Sequence, residues 1–154
     1  MSRNRKKVVL HISHTDVRTD SRILKELNSL SDSEVYSMHA IGVSATDEAP
    51  AAKYSGDIQV QTLNLFSSKK KWSPRILRHL FTLIELCFRM TLKGYKLSPD
   101  VVHCHDTLVL PIGFLLKKMT GCKLIYDAHE LEADKNGQNW ILSKATLLVE
   151  KFCW

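Results

Sequence analysis

The sequence predicts a doubly wound, mostly parallel α/β sheet. Three short apolar runs each pass abruptly into His and carboxylate residues, as expected where a buried strand delivers polar groups to its carboxyl end. The segments that contain these runs begin at Val8, Asp100 and Lys123. Apolar residues at helical spacing lie between the runs, so strands and helices alternate. With 154 residues, the chain is long enough for one domain with a core.

The first half of the chain is predicted to contain three strands and a helix. The strands cover residues 7–13, 34–43 and 58–65, and the third has the mixed alternation of a strand near a sheet edge. Residues 44–56 are rich in Asp, Pro, Ala and Gly, which predicts a loop. The helix follows Asp20 or Ser21 as its N-cap, and its apolar face comprises Ile23, Leu24, Leu27 and Leu30.

The second half repeats the alternation of helix and strand. After a basic linker over 67–73, we predict helices at 74–95, at 108–119 and from about residue 140, with strands at 100–105 and 123–128. This succession predicts one Rossmann-like domain over 1–154 with strand order 3-2-1-4-5. In such a sheet, ligands bind beyond the carboxyl ends of the strands, where the strand order reverses.

The charge of the chain indicates an anionic partner. Lys and Arg number 22 against 16 Asp and Glu, and the excess is concentrated near residues 3–7 and 69–96. Aromatic residues are not interleaved with the basic ones as on a base-stacking surface, which argues against nucleic acid.

The cysteines and apolar segments bear on location. Four cysteines stand at 87, 104, 122 and 153 without metal-ligand spacing, as expected of small buried hydrophobes in a reducing cytoplasm. The apolar run after the basic start is broken by His11 and His14, so we predict no secretory signal. We expect a cytoplasmic protein, peripheral at the inner face of the cytoplasmic membrane.

The predicted helix at 74–95 has two unequal faces. At 100° per residue, its charged residues fall within about a third of the circumference, interrupted by Leu86, and the rest is apolar. One interpretation is a core helix with a solvated basic face. The other is a helix that meets an anionic membrane through its apolar side and nearby basic or aromatic residues, namely Lys69, Lys70, Lys71, Trp72, Arg75, Arg78, Arg89 and Lys93.

Asp127, His129 and Glu130 form the strongest candidate site. They follow a buried strand within four residues, where each ionisable group would need a partner if buried. Two carboxylates raise the pKa of a nearby imidazole and orient it toward a sugar hydroxyl or a phosphate. The alternative is a solvated loop with His129 as a bystander.

The fourth predicted strand ends in His105 and Asp106. Alternation directs His103 and His105 to one face and Cys104 to the other, which disfavours a Cys-His nucleophilic pair. Asp106 either contacts a ligand or caps the next helix. We expect His103 to be a hydrogen-bonded core residue.

His14, Asp16 and Arg22 flank the first strand-to-helix turn, where a helix N-terminus favours anions. Arg22 either holds phosphate or pairs with Asp16 or Asp20. Neither a G-x-G-x-x-G nor a Walker A pattern is present, which argues against nicotinamide or P-loop nucleotide binding.

Three motifs carry a resemblance to a known family: DSRILKE from Asp20, PDVVHCHD from Pro99 and KLIYDAHEL from Lys123. Together they resemble the amino-terminal domain of family 4 glycosyltransferases, which have the GT-B fold. The resemblance implies transfer of a sugar from a nucleotide-sugar to a glycan or lipid-linked acceptor, with retention of configuration. The nucleotide-sugar is a substrate of the complete enzyme, and the resemblance implies no cofactor or metal in this domain.

In that scheme this domain holds the acceptor and faces a donor-binding domain or subunit. His129 matches the family histidine near the donor sugar and phosphate, and Asp127 and Glu130 lie in the same cleft with His14, Asp16, Arg22, His105 and Asp106. We expect the donor-binding carboxy-terminal domain to be absent from this chain. His14-Thr-Asp-Val stands where many members have a glycine pair.

Two other functions remain open. One is a non-catalytic acceptor-binding or membrane-adaptor subunit of a split transferase. The other is a Zn-dependent hydrolase, whose ligands would come from His103, His105, Asp106 and His129.

Overall fold

The structure is a computed structural model that describes residues 5–44, 58–69, 74–127 and 140–153. Strands and helices alternate along the described chain, as the sequence predicts. In order they are β1 (Lys7–Ile12), α1 (Ser21–Ser31), β2 (Tyr36–Val43), β3 (Ile58–Leu63), α2 (Phe66–Lys69), α3 (Arg75–Leu97), β4 (Val101–Cys104), α4 (Leu110–Thr120), β5 (Lys123–Tyr126) and α5 (Trp140–Cys153). The predicted loop at 44–56 lies almost wholly outside the described residues.

The five strands form one parallel sheet in the order β3-β2-β1-β4-β5. The predicted Rossmann-like fold and strand order are therefore confirmed. β1 is the central strand, and it pairs His11 with Ala40 of β2 on one side and with His103 of β4 on the other. The strand order reverses between β1 and β4, so the predicted ligand crevice lies at their carboxyl ends.

Helix α1 covers one face of the sheet. Asp20 caps it, since its side chain accepts hydrogen bonds from the backbone N–H groups of Arg22 and Ile23. Ile23 and Leu27 are buried as predicted, and they pack with Val9, Met38 and Ala40. Leu30, however, is exposed, and Ser31 is buried in the last turn instead.

The opposite face carries the larger core, which α3 and α4 cover. Leu10, Ile12 and Val102 of the sheet pack there with Met90 and Leu116 of the helices. Gly94 lets the helices and the sheet approach closely, because a Cβ atom there would lie 2.7 Å from Leu116 Cδ1 and 3.2 Å from Leu10 Cδ2. The absence of a side chain at Gly94 thus allows α3 to pack closely against α4 and the sheet.

The interpretation of α3 as a core helix with a solvated basic face is wrong about which side is buried. The buried residues of α3 are Leu86, Met90 and Gly94, a narrow stripe at four-residue spacing. Leu86, which interrupts the charged arc, is therefore a core residue. Most of the predicted apolar side is exposed, including Ile76, Leu77, Leu80, Phe81, Leu83, Ile84, Phe88 and Leu92.

Helix α2 falls where the sequence predicts a linker. Its backbone is anchored by Glu85 of α3, which accepts hydrogen bonds from the N–H groups of Phe66 (3.0 Å) and Ser67 (2.9 Å) and from the Ser67 hydroxyl (2.5 Å). Arg89 bonds Glu85 at 2.8 Å and the Asn64 carbonyl at 2.6 Å, and it lies over the Phe66 ring. The charged side of α3 thus binds α2 and the end of β3.

The cysteines are free thiols, and Cys104, Cys122 and Cys153 are buried, in agreement with the sequence. Burial raises the pKa of the Cys87, Cys104 and Cys153 thiols. Within the described part of the chain, no helix has the length and apolar character to cross a membrane.

Candidate functional site

The carboxyl ends of β1, β4 and β5 lie side by side. The N–H of His105 donates to the Ile12 carbonyl at 3.1 Å, and the N–H of Asp127 donates to the Cys104 carbonyl at 2.9 Å. The residues that follow the strands therefore continue the sheet's hydrogen bonding for one step. As a result, the polar residues after β1, β4 and β5 begin at one edge of the sheet.

Asp106 is the centre of a hydrogen-bond network at this edge. Its Oδ2 accepts from the Ser13 hydroxyl (3.1 Å), the His14 N–H (3.0 Å) and His14 Nδ1 (2.8 Å). Its Oδ1 accepts from the Val109 N–H (3.1 Å), at the start of α4. The carboxylate thus joins the turn after β1 to the turn before α4, which supports the capping alternative, while the exposed His14 ring borders the crevice.

Two opposing effects act on the pKa of Asp106. Burial alone would raise it, but hydrogen bonds and charge from His14, with the Val109 N–H, hold it below its ordinary value. The side chain is consequently a carboxylate at neutral pH. It fixes the orientation of the His14 ring through Nδ1.

Asp16 is bound by Arg18, a residue that is not predicted from the sequence to belong to the site. The guanidinium donates from Nε to Oδ1 at 2.8 Å and from Nη2 to Oδ2 at 2.6 Å, and Nη2 also donates to the Ser44 hydroxyl at 2.8 Å. Hydrogen bonds from Arg18 lower the pKa of Asp16. This pair ties the turn after β1 to the end of β2.

Gly42 allows the same turn to lie directly against β2. A Cβ atom at this position would lie 2.5 Å from the Thr15 carbonyl oxygen and 2.9 Å from Val17 Cγ1. The Val43 N–H donates to that carbonyl at 3.0 Å. The absence of a side chain at Gly42 therefore permits the hydrogen bond between Val43 and Thr15, which helps to shape the crevice wall.

Arg22 pairs with Asp20 rather than with Asp16. Its Nη2 lies 3.6 Å from Asp20 Oδ2, and its side chain is exposed at the start of α1. Of the two interpretations for Arg22, the structure therefore shows pairing with the helix cap.

The end of β5 carries a second network. The Tyr126 hydroxyl lies 2.7 Å from the Thr107 hydroxyl and donates to Glu150 of α5 at 2.7 Å. Asp127 follows directly and is half-buried. His129 and Glu130 lie outside the described residues.

A cluster of three imidazoles and one carboxylate lies on the α1 face, below the crevice. The β1–β4 register places His11 beside His103, and His105 follows two residues later. His11 Nδ1 and His105 Nε2 are 2.8 Å apart, and the ring centroids of His103 and His105 are 4.2 Å apart. Burial, with His103 and His105 nearby, places the pKa of His11 well below its ordinary value.

Glu26 of α1 completes this histidine cluster. Its Oε2 lies 3.4 Å from His103 Nδ1, 3.9 Å from His11 Nδ1 and 4.0 Å from His105 Nε2. Neither Glu26 nor His11 is predicted from the sequence to be a site residue. The available signal was an acidic residue beside Leu27 on the buried side of α1, opposite a strand with His at an inward position.

The ligands proposed for a Zn-dependent hydrolase are not all brought together. His103 and His105 are neighbours, but Asp106 is bonded to His14, Ser13 and Val109. The fourth residue of that set, His129, is outside the described part of the chain.

The proposed membrane residues have different environments. Arg75 is exposed, Arg78 and Lys93 are partly exposed, and Arg89 is bonded to Glu85 and Asn64. The Lys69 side chain and all of Lys70, Lys71 and Trp72 lie outside what the structure describes.

No family model and no curated protein match the sequence. Two similar solved structures are of a sucrose-phosphate synthase from Thermosynechococcus elongatus. The first has a TM-score of 0.66 at 13% identity, over 96% of this chain and 40% of that chain. The second has a TM-score of 0.57 at 14% identity, over 94% of this chain and 70% of that chain. The likeness establishes a glycosyltransferase-like fold, and this chain spans less than half the length of the first synthase chain.

Proposed function

We propose that this domain is the acceptor-side half of a retaining, nucleotide-sugar-dependent glycosyltransferase of the family 4 type. The observation that carries the proposal is the edge where β1, β4 and β5 end, on a fold shared with a sucrose-phosphate synthase. Polar residues follow all three strands there, at the point where doubly wound sheets bind ligands. In the complete enzyme, a donor-binding domain or subunit closes this crevice.

The chemistry in this proposal is largely electrostatic. His129, oriented by Asp127 and Glu130, stabilises charge on the departing nucleoside diphosphate, while the acceptor hydroxyl attacks from the same face of the sugar. His14 contacts the acceptor, and Asp106 holds the His14 ring in place. The acceptor is a glycan or a lipid-linked glycan.

The catalytic proposal is tested with His129→Ala in the enzyme that joins this domain to its donor-binding partner. We expect turnover to fall about 100-fold or more, the effect of removing one preorganised electrostatic group. His79→Ala, which removes an exposed imidazole from α3, is the matched control and should leave turnover unchanged. Near-normal turnover of the His129 variant would instead favour the non-catalytic acceptor-binding subunit.

We further propose that α3 docks on an anionic membrane surface. Its outward side is apolar, with the large side chains of Ile76, Phe81 and Phe88 more than half exposed. Basic residues border that side, and such helices bind at the interface between head groups and acyl chains. The acceptor would then be reached at the inner face of the cytoplasmic membrane.

Vesicle binding tests this docking. At low salt, the protein should bind vesicles rich in anionic lipid, and the variant with Arg75→Glu, Arg78→Glu and Lys93→Glu should bind about 100-fold more weakly, at about 1 kcal/mol per basic residue. The control carries Lys6→Glu, Lys7→Glu and Lys25→Glu, the same charge change at exposed positions outside α3. Equal weakening by both variants, or no binding by the unmodified protein, would contradict docking through α3.

A further inference from the structure

We propose that His11, Glu26, His103 and His105 form a binding site for one divalent transition-metal ion, with Zn²⁺ the best match. One ligand atom from each residue lies within 4.8 Å of every other. The site is separate from the glycosyltransferase chemistry proposed above, and it differs from the metal-free domain that the family resemblance implies. It shares His103 and His105 with the hydrolase ligand set, but it has His11 and Glu26 in place of Asp106 and His129.

The spacing of the donor atoms suits a tetrahedral ion. Zn–N and Zn–O bonds of 2.0–2.2 Å place neighbouring ligand atoms about 3.3 Å apart. The Glu26 carboxylate lies 3.4 Å from His103, 3.9 Å from His11 and 4.0 Å from His105. The His11–His105 separation of 2.8 Å is shorter, and it would open by about 0.5 Å as the two nitrogens exchange a shared hydrogen bond for bonds to the ion.

The donor set selects the class of metal. Three imidazole nitrogens and one carboxylate oxygen suit zinc and its neighbours in the first transition series, whereas Mg²⁺ and Ca²⁺ prefer oxygen ligands throughout. Because His11 and His105 are almost fully buried, those two donors are also shielded from water. Glu26 and His103 are partly exposed, so an ion can reach the site from solvent.

The position of the site indicates a structural role. It joins α1 to β1 and β4, the two strands between which the sheet reverses its order. His105 immediately precedes Asp106, which holds the turn after β1. Four protein ligands would complete the tetrahedral shell and leave no open position for a substrate. A bound ion would therefore fix α1 and the crevice wall to the sheet.

Cobalt and zinc titrations of the metal-stripped chain test the proposal. We expect one Co²⁺ per chain, with the visible d–d absorption of a tetrahedral site, and displacement by one Zn²⁺. Excess Zn²⁺ at about 100 times its Kd should raise Tm by about 5–10 °C for a chain of this size. A near-ultraviolet band from thiolate–cobalt bonding would overturn the assignment, since it would place the ion on cysteine.

Variants localise the ion. Glu26→Gln and His103→Ala should each weaken Co²⁺ binding at least about 100-fold, more than the loss of a residue that only supports a ligand. His79→Ala should bind Co²⁺ as the unmodified chain does. Glu26→Gln keeps the shape of the side chain, and its Tm without metal reports whether it folds. Unchanged affinity in a folded Glu26→Gln variant, or the absence of stoichiometric binding, would overturn the proposal.

Discussion

Asp106 and Glu85 are two carboxylates with similar hydrogen-bonding environments in different parts of the fold. Each accepts four hydrogen bonds, each joins two segments that are distant in sequence, and each has a lowered pKa. Asp106 lies at the edge of the sheet where doubly wound folds bind ligands. Glu85 lies on α3 and anchors the short helix α2. A carboxylate with a lowered pKa thus indicates that several donors converge on it. Its position in the fold then indicates whether it lies at a candidate ligand site.

Replacing Asp106 with Asn should have the largest effect. The variant has one acceptor oxygen for donors that now use two, and its amide N–H₂ faces groups that need an acceptor. We expect a loss of about 2–3 kcal/mol in the free energy of unfolding, measured in urea. Transfer by the complete enzyme should also fall, because His14 loses its anchor. Full transfer with reduced stability would show that Asp106 acts on the fold alone.

Replacing Glu85 with Gln should have a smaller effect of a different kind. The amide keeps one acceptor oxygen for α2 but loses the charge that binds Arg89, so we expect a loss of about 1–2 kcal/mol in urea unfolding. Transfer at a temperature where the variant stays folded should be unchanged. A selective loss of transfer would mean that α2 belongs to the functional surface, which would remove the distinction between the two carboxylates.

The contribution of Glu85 to stability should depend on pH. Burial opposes ionisation of Glu85, but hydrogen bonds from Ser67, Phe66 and Arg89 outweigh it and lower the pKa of Glu85 from 4.5 to about 2. Its stabilising contribution is complete above pH 4.5 and is lost as the pH falls through about 2. The stability difference between the native chain and Glu85→Gln should therefore be constant near neutrality and shrink between pH 4.5 and 2. A difference that stays constant across this range would contradict the lowered pKa.

The regular parts of the fold were predictable because their signals are local. Apolar runs that end in polar residues mark β1, β4 and β5, and Asp20 before an apolar helical pattern marks the start of α1. The strand order followed from the alternation of strands and helices. Boundaries differ from prediction by a few residues, as expected where strand ends are defined by partners in neighbouring strands.

The parts that escaped prediction depend on contacts between distant residues. Helix α2 has only four residues, and its N–H groups bond Glu85, 18 and 19 positions away. The periodicity of α3 shows that the helix has two faces, but it does not show which face packs on the protein core. In the structure, the face that contains Leu86 and Gly94 is the buried one. The histidine cluster requires the β1–β4 register, which alternation within β4 alone does not contain. His129 and Glu130 remain predictions.

The pairing of β1 with β4 also determines when the crevice can form during synthesis. His11 and His105, which bond each other, are 94 residues apart in the sequence, so their contact requires closure of a very long loop. β1 can pair with β2 early, but its other edge waits until β4 has left the ribosome. Because non-local parallel pairing is slow, the central strand has an unpaired edge throughout that interval. The edge of the sheet that carries the candidate site therefore forms late in folding, and until then the unpaired side of β1 is open to chaperones and to aggregation.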